Sequence, residues 1–316
     1  MKAILEKLKE AENAVILPHV HADGDPVATS LALGKLLEAW DIPYTIYLEE
    51  PVGEELAFLG GHFSFPGDEC PAVHTAIAVD CGDAARLGER EKIFDRAITK
   101  LVIDHHATNG GFGDVCFVNA KAAATAEIIA ELFEMAGVSV KNAATYLYAG
   151  LVTDTGGFRF SNTTPKTHRI AAALMEAGAD SAEVCRAVFE ENRLEKMRLE
   201  AAVMRDMTVE HDGKTVIATV SEAQLREYGA QDEDTGHLSG VLRSIRGVEA
   251  GVLIKERQGE IKISMRTNRY LDAAEICKAL GGGGHARAAG VSVTGTISEW
   301  KKKMTEIIGE AYGRHC

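Results

Sequence analysis

Along the first third of the chain, hydrophobic residues come in short unbroken runs separated by helix-like stretches. Residues 2–12 carry apolar side chains at helical spacing, 14–17 (Ala-Val-Ile-Leu) read as a buried strand, and 26–40 return to a helical pattern. Further strands are predicted at 44–48, 76–79 and 101–104. Apolar runs that do not alternate suit strands covered on both faces, and intervening helices point to parallel strands with crossover connections. In such an open sheet, ligands bind just past the carboxyl ends of the strands.

From about 122 to 187 the pattern is mostly helical. Residues 188–209 are rich in Glu, Arg, Met and Leu and contain no Gly or Pro, which predicts one long connecting helix. Beyond 210 the character changes. Strands are predicted at 216–220, 250–256 and 260–265, the last two as a hairpin around 257–259, followed by helices near 271–280 and 298–312. The expected fold class is α/β: a parallel-sheet domain with flanking helices at 1–187, a helical linker at 188–209, and a smaller α/β domain at 210–316. There is no internal repeat and no low-complexity tract.

Composition narrows the function. Hydrophobic residues make up 46% of the 316 and charged residues 26%, typical of a globular protein with a real core. Acidic residues interrupt the N-terminal segment, so it does not read as a secretion signal, and no run approaches the roughly 18 apolar residues of a membrane span. A cytoplasmic protein without a membrane partner is expected. The six cysteines (Cys70, Cys81, Cys116, Cys185, Cys277, Cys316) include no Cys-x-x-Cys pair, which argues for reduced thiols over a zinc site or disulfide framework. A formal net charge of −13 argues against a long duplex partner. It leaves room for a short anionic substrate if bound cations supply local positive charge.

Four polar clusters carry candidate chemistry. His19-Val-His-Ala-Asp23-Gly-Asp25 follows the 14–17 strand. Asp80 ends the 76–79 strand, and Asp104-His105-His106 ends the 101–104 strand. Asp154, in Thr-Asp-Thr-Gly-Gly-Phe, closes a helical run. Each has a bland reading, as a capped turn or a hydrogen-bonded histidine. Three at strand ends share one sheet edge, however, and carboxylates mixed with imidazoles suit Mn²⁺ or Mg²⁺. In the second domain, Gly281-Gly282-Gly283-Gly284-His285-Ala286-Arg287 is a glycine run whose backbone amides suit an anion, with a helix-like Ala-Arg-Ala-Ala behind it.

The ordered set HVHADGDPVATS, VDCGD, DHH and TDTGGF resembles the four motifs of DHH phosphoesterases, and GGGGHARAAG resembles the signature of the DHH-associated C-terminal domain. The pairing looks most like the nanoRNase group, whose members degrade short oligoribonucleotides and dephosphorylate 3′-phosphoadenosine 5′-phosphate (pAp). The resemblance implies two divalent ions, Mn²⁺ or alternatively Mg²⁺, that activate water. His19 and Asp23 would hold one and Asp25 the other, Asp80 would bridge them, and His105 and Asp154 would complete the second site. His106 would face the substrate phosphate, with Asp104 orienting the histidines. Gly282, Gly283, Gly284, His285, Arg266 and Arg287 would bind the far end of the nucleotide. His21 stands outside the metal set. The partners implied are short oligonucleotides or small nucleotides, and a homodimer is compatible. Competing readings are a phosphohydrolase of linear di-AMP, pyrophosphate or polyphosphate, a single-stranded DNA exonuclease, or a non-catalytic nucleotide sensor, against which stands that every expected ligand position is filled.

Overall fold

The structure is a computed structural model and describes residues 1–68, 70 and 72–314. The chain divides into two compact units, Met1–Glu191 and Asn192–Cys316.

The first unit runs α1 (Lys2–Lys9), β1 (Ala14–Pro18), α2 (Gly24–Glu38), β2 (Tyr44–Tyr47), β3 (Phe63–Ser64), β4 (Thr75–Val79), α3 (Glu91–Arg96), β5 (Thr99–Asp104), β6 (Val115–Val118), α4 (Thr125–Ala136), α5 (Ala144–Asp154), α6 (Pro165–Glu176) and α7 (Ser181–Cys185). Its strands pair in parallel in the order β3-β2-β1-β4-β5-β6. On one face Ile16, Ile77, Val79, Leu101 and Ile103 pack with Leu33 and Leu37 of α2 and Leu147 and Leu151 of α5. On the other, Val15, Leu17, Ala76, Ala78 and Val102 pack with Leu87, Ile93 and Phe94. Burial on both sides is why these strands read as unbroken apolar runs. The edge strands β3 and β6 were not expected; both are short and only partly buried, so they leave little hydrophobic signal.

The continuous helix expected over 188–209 does not form. A π-helical turn at Arg186–Glu190 ends in the first unit, residues 191–193 are non-helical, and α8 (Leu194–Asp206) starts afresh. Leu199, Ala202 and Val203 of α8 are buried in the second unit, so packing there sets where the helix begins, although helical propensity runs through the whole stretch.

The second unit continues with β7 (Thr208–Glu210), β8 (Thr215–Val220), α9 (Glu222–Tyr228), α10 (Leu238–Arg243), β9 (Ala250–Arg257), β10 (Glu260–Thr267), α11 (Ala273–Lys278), β11 (Gly283–His285), β12 (Ala288–Val293) and α12 (Ile297–Gly313). The sheet order is β11-β12-β10-β9-β8-β7, with only β8 and β9 parallel. Among the described residues no helix is long and apolar enough to cross a membrane. Among the described residues no disulfide joins Cys70, Cys81, Cys116, Cys185 or Cys277; Cys316 lies outside the described residues.

Candidate active site

The carboxyl ends of β1, β4 and β5 deliver their polar residues to one spot, and the end of α5 adds Asp154. Asp80 sits at the centre. Its side chain lies 3.8 Å from His19 Nε2, 3.4 Å from His105 Nε2 and 3.9 Å from His106 Nδ1. Among the described residues three groups have ligand atoms within 4.8 Å of one another: His19, Asp23 and Asp80; Asp80, His105 and His106; Asp25, His105 and Asp154. Asp80 belongs to two of them. Its backbone is left-handed, at φ 53°, which a non-glycine residue adopts at a cost and which Asp tolerates better than most.

The donor set fits metal binding. His19 Nδ1 lies 2.6 Å from the Val20 carbonyl and His105 Nδ1 lies 3.3 Å from the Ala122 carbonyl. A carbonyl only accepts, so both rings carry a proton on Nδ1, which leaves Nε2, on the carboxylate side, as the atom that would bind a metal. Asp154 Oδ2 is buried with no hydrogen-bond partner among the described residues. Asp23 stands at the start of α2 without a side-chain capping bond, so the helix-cap reading fails there.

Crowded carboxylates in a buried site resist ionisation. Burial, then the Asp80 charge, raises Asp25 to about 7, and burial raises Asp80 to about 6. Burial and then Asp25 raise Asp154 to about 7. For His105, burial disfavours the charged form, but Asp80, Asp25 and Asp154 outweigh it and the pKa rises. Burial lowers His19. Asp104 is fully buried at the end of β5 and accepts from His106 Nδ1 at 2.7 Å, the His105 amide at 2.8 Å and Asn109 Nδ2 at 2.7 Å. Burial opposes its ionisation, but the bonds from His106 and Asn109 prevail and hold it below the usual range. The same bond raises His106. His21 pairs at 3.0 Å with exposed Glu50.

Sequence reasoning missed Thr125, Asn109 and Gly150. Thr125 at the start of α4 donates its hydroxyl to Asp80 Oδ1 at 2.6 Å and its amide to Asp25 Oδ2 at 2.6 Å, and the Ala126 amide reaches Asp25 Oδ1 at 3.1 Å. Gly150 lets α5 approach: a Cβ there would sit 2.5 Å from Asp25 Oδ1. A threonine inside Ala-Ala-Ala-Thr-Ala-Glu looks like an ordinary helix start, so only the fold reveals these roles.

In the second unit, Arg266 lies half-buried on β10, and His285 is exposed at the end of β11. The second half of the glycine run, Gly283 and Gly284, lies in β11, after a turn at Gly281, and the Ala-Arg-Ala-Ala expected to be helix-like turns a hairpin into β12. The glycines serve that pairing: a Cβ on Gly282 would lie 2.3 Å from the Gly290 carbonyl, and one on Gly284 2.5 Å from the Ala288 carbonyl. Gly283, between them, has open space where a Cβ would be. Arg287 is exposed, and its guanidinium donates to the carbonyls of Leu271, at 2.7 Å, and Arg269.

Residues 13–151 match the model described as "DHH family, N-terminal domain", and 212–312 match the "DHHA1 domain". The chain is 33% identical to the "Bifunctional oligoribonuclease and PAP phosphatase NrnA" of Thermus thermophilus, over 99% of this chain and 95% of that protein. The chain belongs to the DHH family. The fold of this DHH protein also matches solved structures. An exopolyphosphatase-related protein from Bacteroides fragilis superposes with a TM-score of 0.89 at 22% identity, covering 100% of this chain and 97% of that one. RecJ from Thermus thermophilus, in complex with Mn²⁺, gives 0.58 at 17%, covering 98% of this chain and 54% of that one. Asp154, at the end of α5, lies just beyond the DHH match yet completes the cluster.

Proposed function

We propose that this chain is a two-metal phosphoesterase that hydrolyses short oligoribonucleotides and pAp to mononucleotides, in the cytoplasm. The observation that carries the reading is Asp80 shared between two ligand groups, with two carbonyl-anchored imidazoles facing it. His19 and Asp23 would hold one ion, Asp25, His105 and Asp154 the other, and Asp80 both. Divalent ions at these positions, Mn²⁺ or Mg²⁺, would lower the pKa of water and polarise a phosphoryl oxygen. The relative from Thermus thermophilus, named for both activities and aligned over nearly its full length, supports this substrate class.

The chain's own groups do the rest. Asp104 is ionised and can only accept, so His106 holds a proton on Nδ1 against it. The raised His106 pKa favours a cation that donates Nε2–H to a phosphate oxygen. Asn109 anchors Asp104 from its other oxygen and so fixes the ring. Arg266 and His285 would take a more distant phosphate or base of the nucleotide. Purified protein with Mn²⁺, offered diribonucleotide, pAp, 20-mer RNA and pyrophosphate side by side, tests this. Release of mononucleotide from the first two ahead of the others is expected. Preference for pyrophosphate, or no hydrolysis of the first two, would overturn the proposal.

A further inference from the structure

One face of β10 is apolar and buried through Ile261, Ile263 and Met265, while Lys262, Ser264 and Arg266 on the other face stay half-exposed. Next to them, β9 is covered on that face: Leu253 packs with Leu238 and Leu242 of α10. On the other side, β12 places Ser292 opposite Lys262, Gly290 opposite Ser264 and Ala288 opposite Arg266. The result is a shallow trough with a floor of small residues and a cation at each end.

Those cations are not neutralised within the unit. Lys255, across from Lys262, takes Asp232 Oδ1 at 2.6 Å, and Arg257 shares the same carboxylate at 3.4 Å. Among the described residues Lys262 has no hydrogen-bond or ion-pair partner; burial, then Lys255 and Arg257, lowers its pKa against the more distant attraction of Asp232, which those two residues already engage. Arg266 likewise has none; burial and Arg243 lower its pKa. Arg243 itself keeps a buried Nε without a partner. Partly desolvated cations with like charges beside them and no direct partner of their own raise the energy of the free protein, and an anion laid along the trough would relieve that.

We propose that Lys262 is a second backbone-phosphate contact, which with Arg266 tracks a single strand of three to five nucleotides along β10. Four residues of strand span about 13 Å. At about 3.4 Å per stacked nucleotide that is up to four steps, and fewer for a stretched strand. The inference rests on the proposed nucleotide substrate and adds a length preference to it. Lys262 is a positioning residue for long substrates, and pAp is too short to reach both cations.

The test compares wild type, Lys262→Ala and Lys262→Arg on 5′-phosphorylated dimer and pentamer RNA. The Ala variant should lower the pentamer-to-dimer ratio of kcat/KM by about fivefold, an exposed ion pair's worth, mainly through KM. It should also flatten the pentamer's salt dependence by about 0.7 in log–log slope, one phosphate contact for a single strand. Arg should restore both. Equal losses on dimer and pentamer, or an unaltered pentamer slope, would overturn the inference. The same comparison is read as binding of fluorescent dimer and pentamer to metal-free full-length protein. An inactive wild type that still binds pentamer through Lys262 would therefore overturn the phosphoesterase reading alone.

Discussion

At the scale of single residues, the site is a set of crowded carboxylates that hydrogen bonds support and cations would neutralise. Asp80 stands between two ligand groups, so Asp80→Ala should abolish hydrolysis, while far-UV circular dichroism stays native because no strand depends on that side chain. Turnover like wild type in that variant would sink the two-metal assignment. Thr125 acts one step out, donating to Asp80 and Asp25. Loss of such a supporting donor weakens metal binding by about 10–100-fold, so Thr125→Val should raise the Mn²⁺ dissociation constant by about tenfold in calorimetry. The Asp154 carboxyl gives a signed pH effect. Its pKa is raised to about 7, first by burial and then by Asp25, against an ordinary 3.8. A raised carboxyl contributes stability below about 3.8, and that contribution is lost as pH climbs through 7. In EDTA, Asp154→Asn should therefore melt a few degrees above wild type at pH 8, by a smaller margin at pH 5, and level with it only below about pH 3.8, where the unfolded carboxyl is also protonated. A higher melting temperature for the variant at pH 5 than at pH 8, relative to wild type, would contradict the assigned burial effect.

At the scale of elements, three parallel strands and three helices converge, and their close approach carries the ligands. The start of α4 aims two amides at Asp25, and α5 passes beside it because residue 150 is glycine. Gly150→Ala would place a methyl 2.5 Å from Asp25 Oδ1 and 2.8 Å from Ala126 Cβ. Overpacking of this kind costs about 1–3 kcal/mol, so the variant should melt lower and bind Mn²⁺ more weakly. Gly240→Ala is the control: it lies inside α10 with open space around its Cβ position, and helix propensity predicts a small gain. If both glycine variants behave alike in thermal melts, close approach at Gly150 is not what holds the site.

At the scale of the whole molecule, the net charge of −13 works against long polyanions. Hydrolysis should be fastest for substrates of about two to five nucleotides and decline toward the 20-mer, because added phosphates meet an acidic surface without a broad basic track. An RNA ladder from dimer to 20-mer at fixed Mn²⁺ and salt reads this directly as kcat/KM. A rate that climbs with length, or processive digestion of the longest strand, would instead describe an exonuclease for long strands.

What the sequence by itself determined is local. The unbroken runs of β1, β4 and β5 and the polar residues at their ends were legible, because parallel strands buried on both faces leave that pattern and ligands gather past their ends. The hairpin of β9 and β10 was legible from two strand-like runs on either side of a turn at 257–259. The tertiary structure decided the rest. It broke the expected 188–209 helix, because α8 packs its own apolar stripe into the second unit. It drew Gly283 and Gly284 into a strand, because β12 needs backbone approach there, and it set Arg287 against two carbonyls. It also brought Thr125 and Gly150 to Asp25. These roles depend on which backbone passes within hydrogen-bonding or van der Waals reach, and spacing along one chain carries no trace of that.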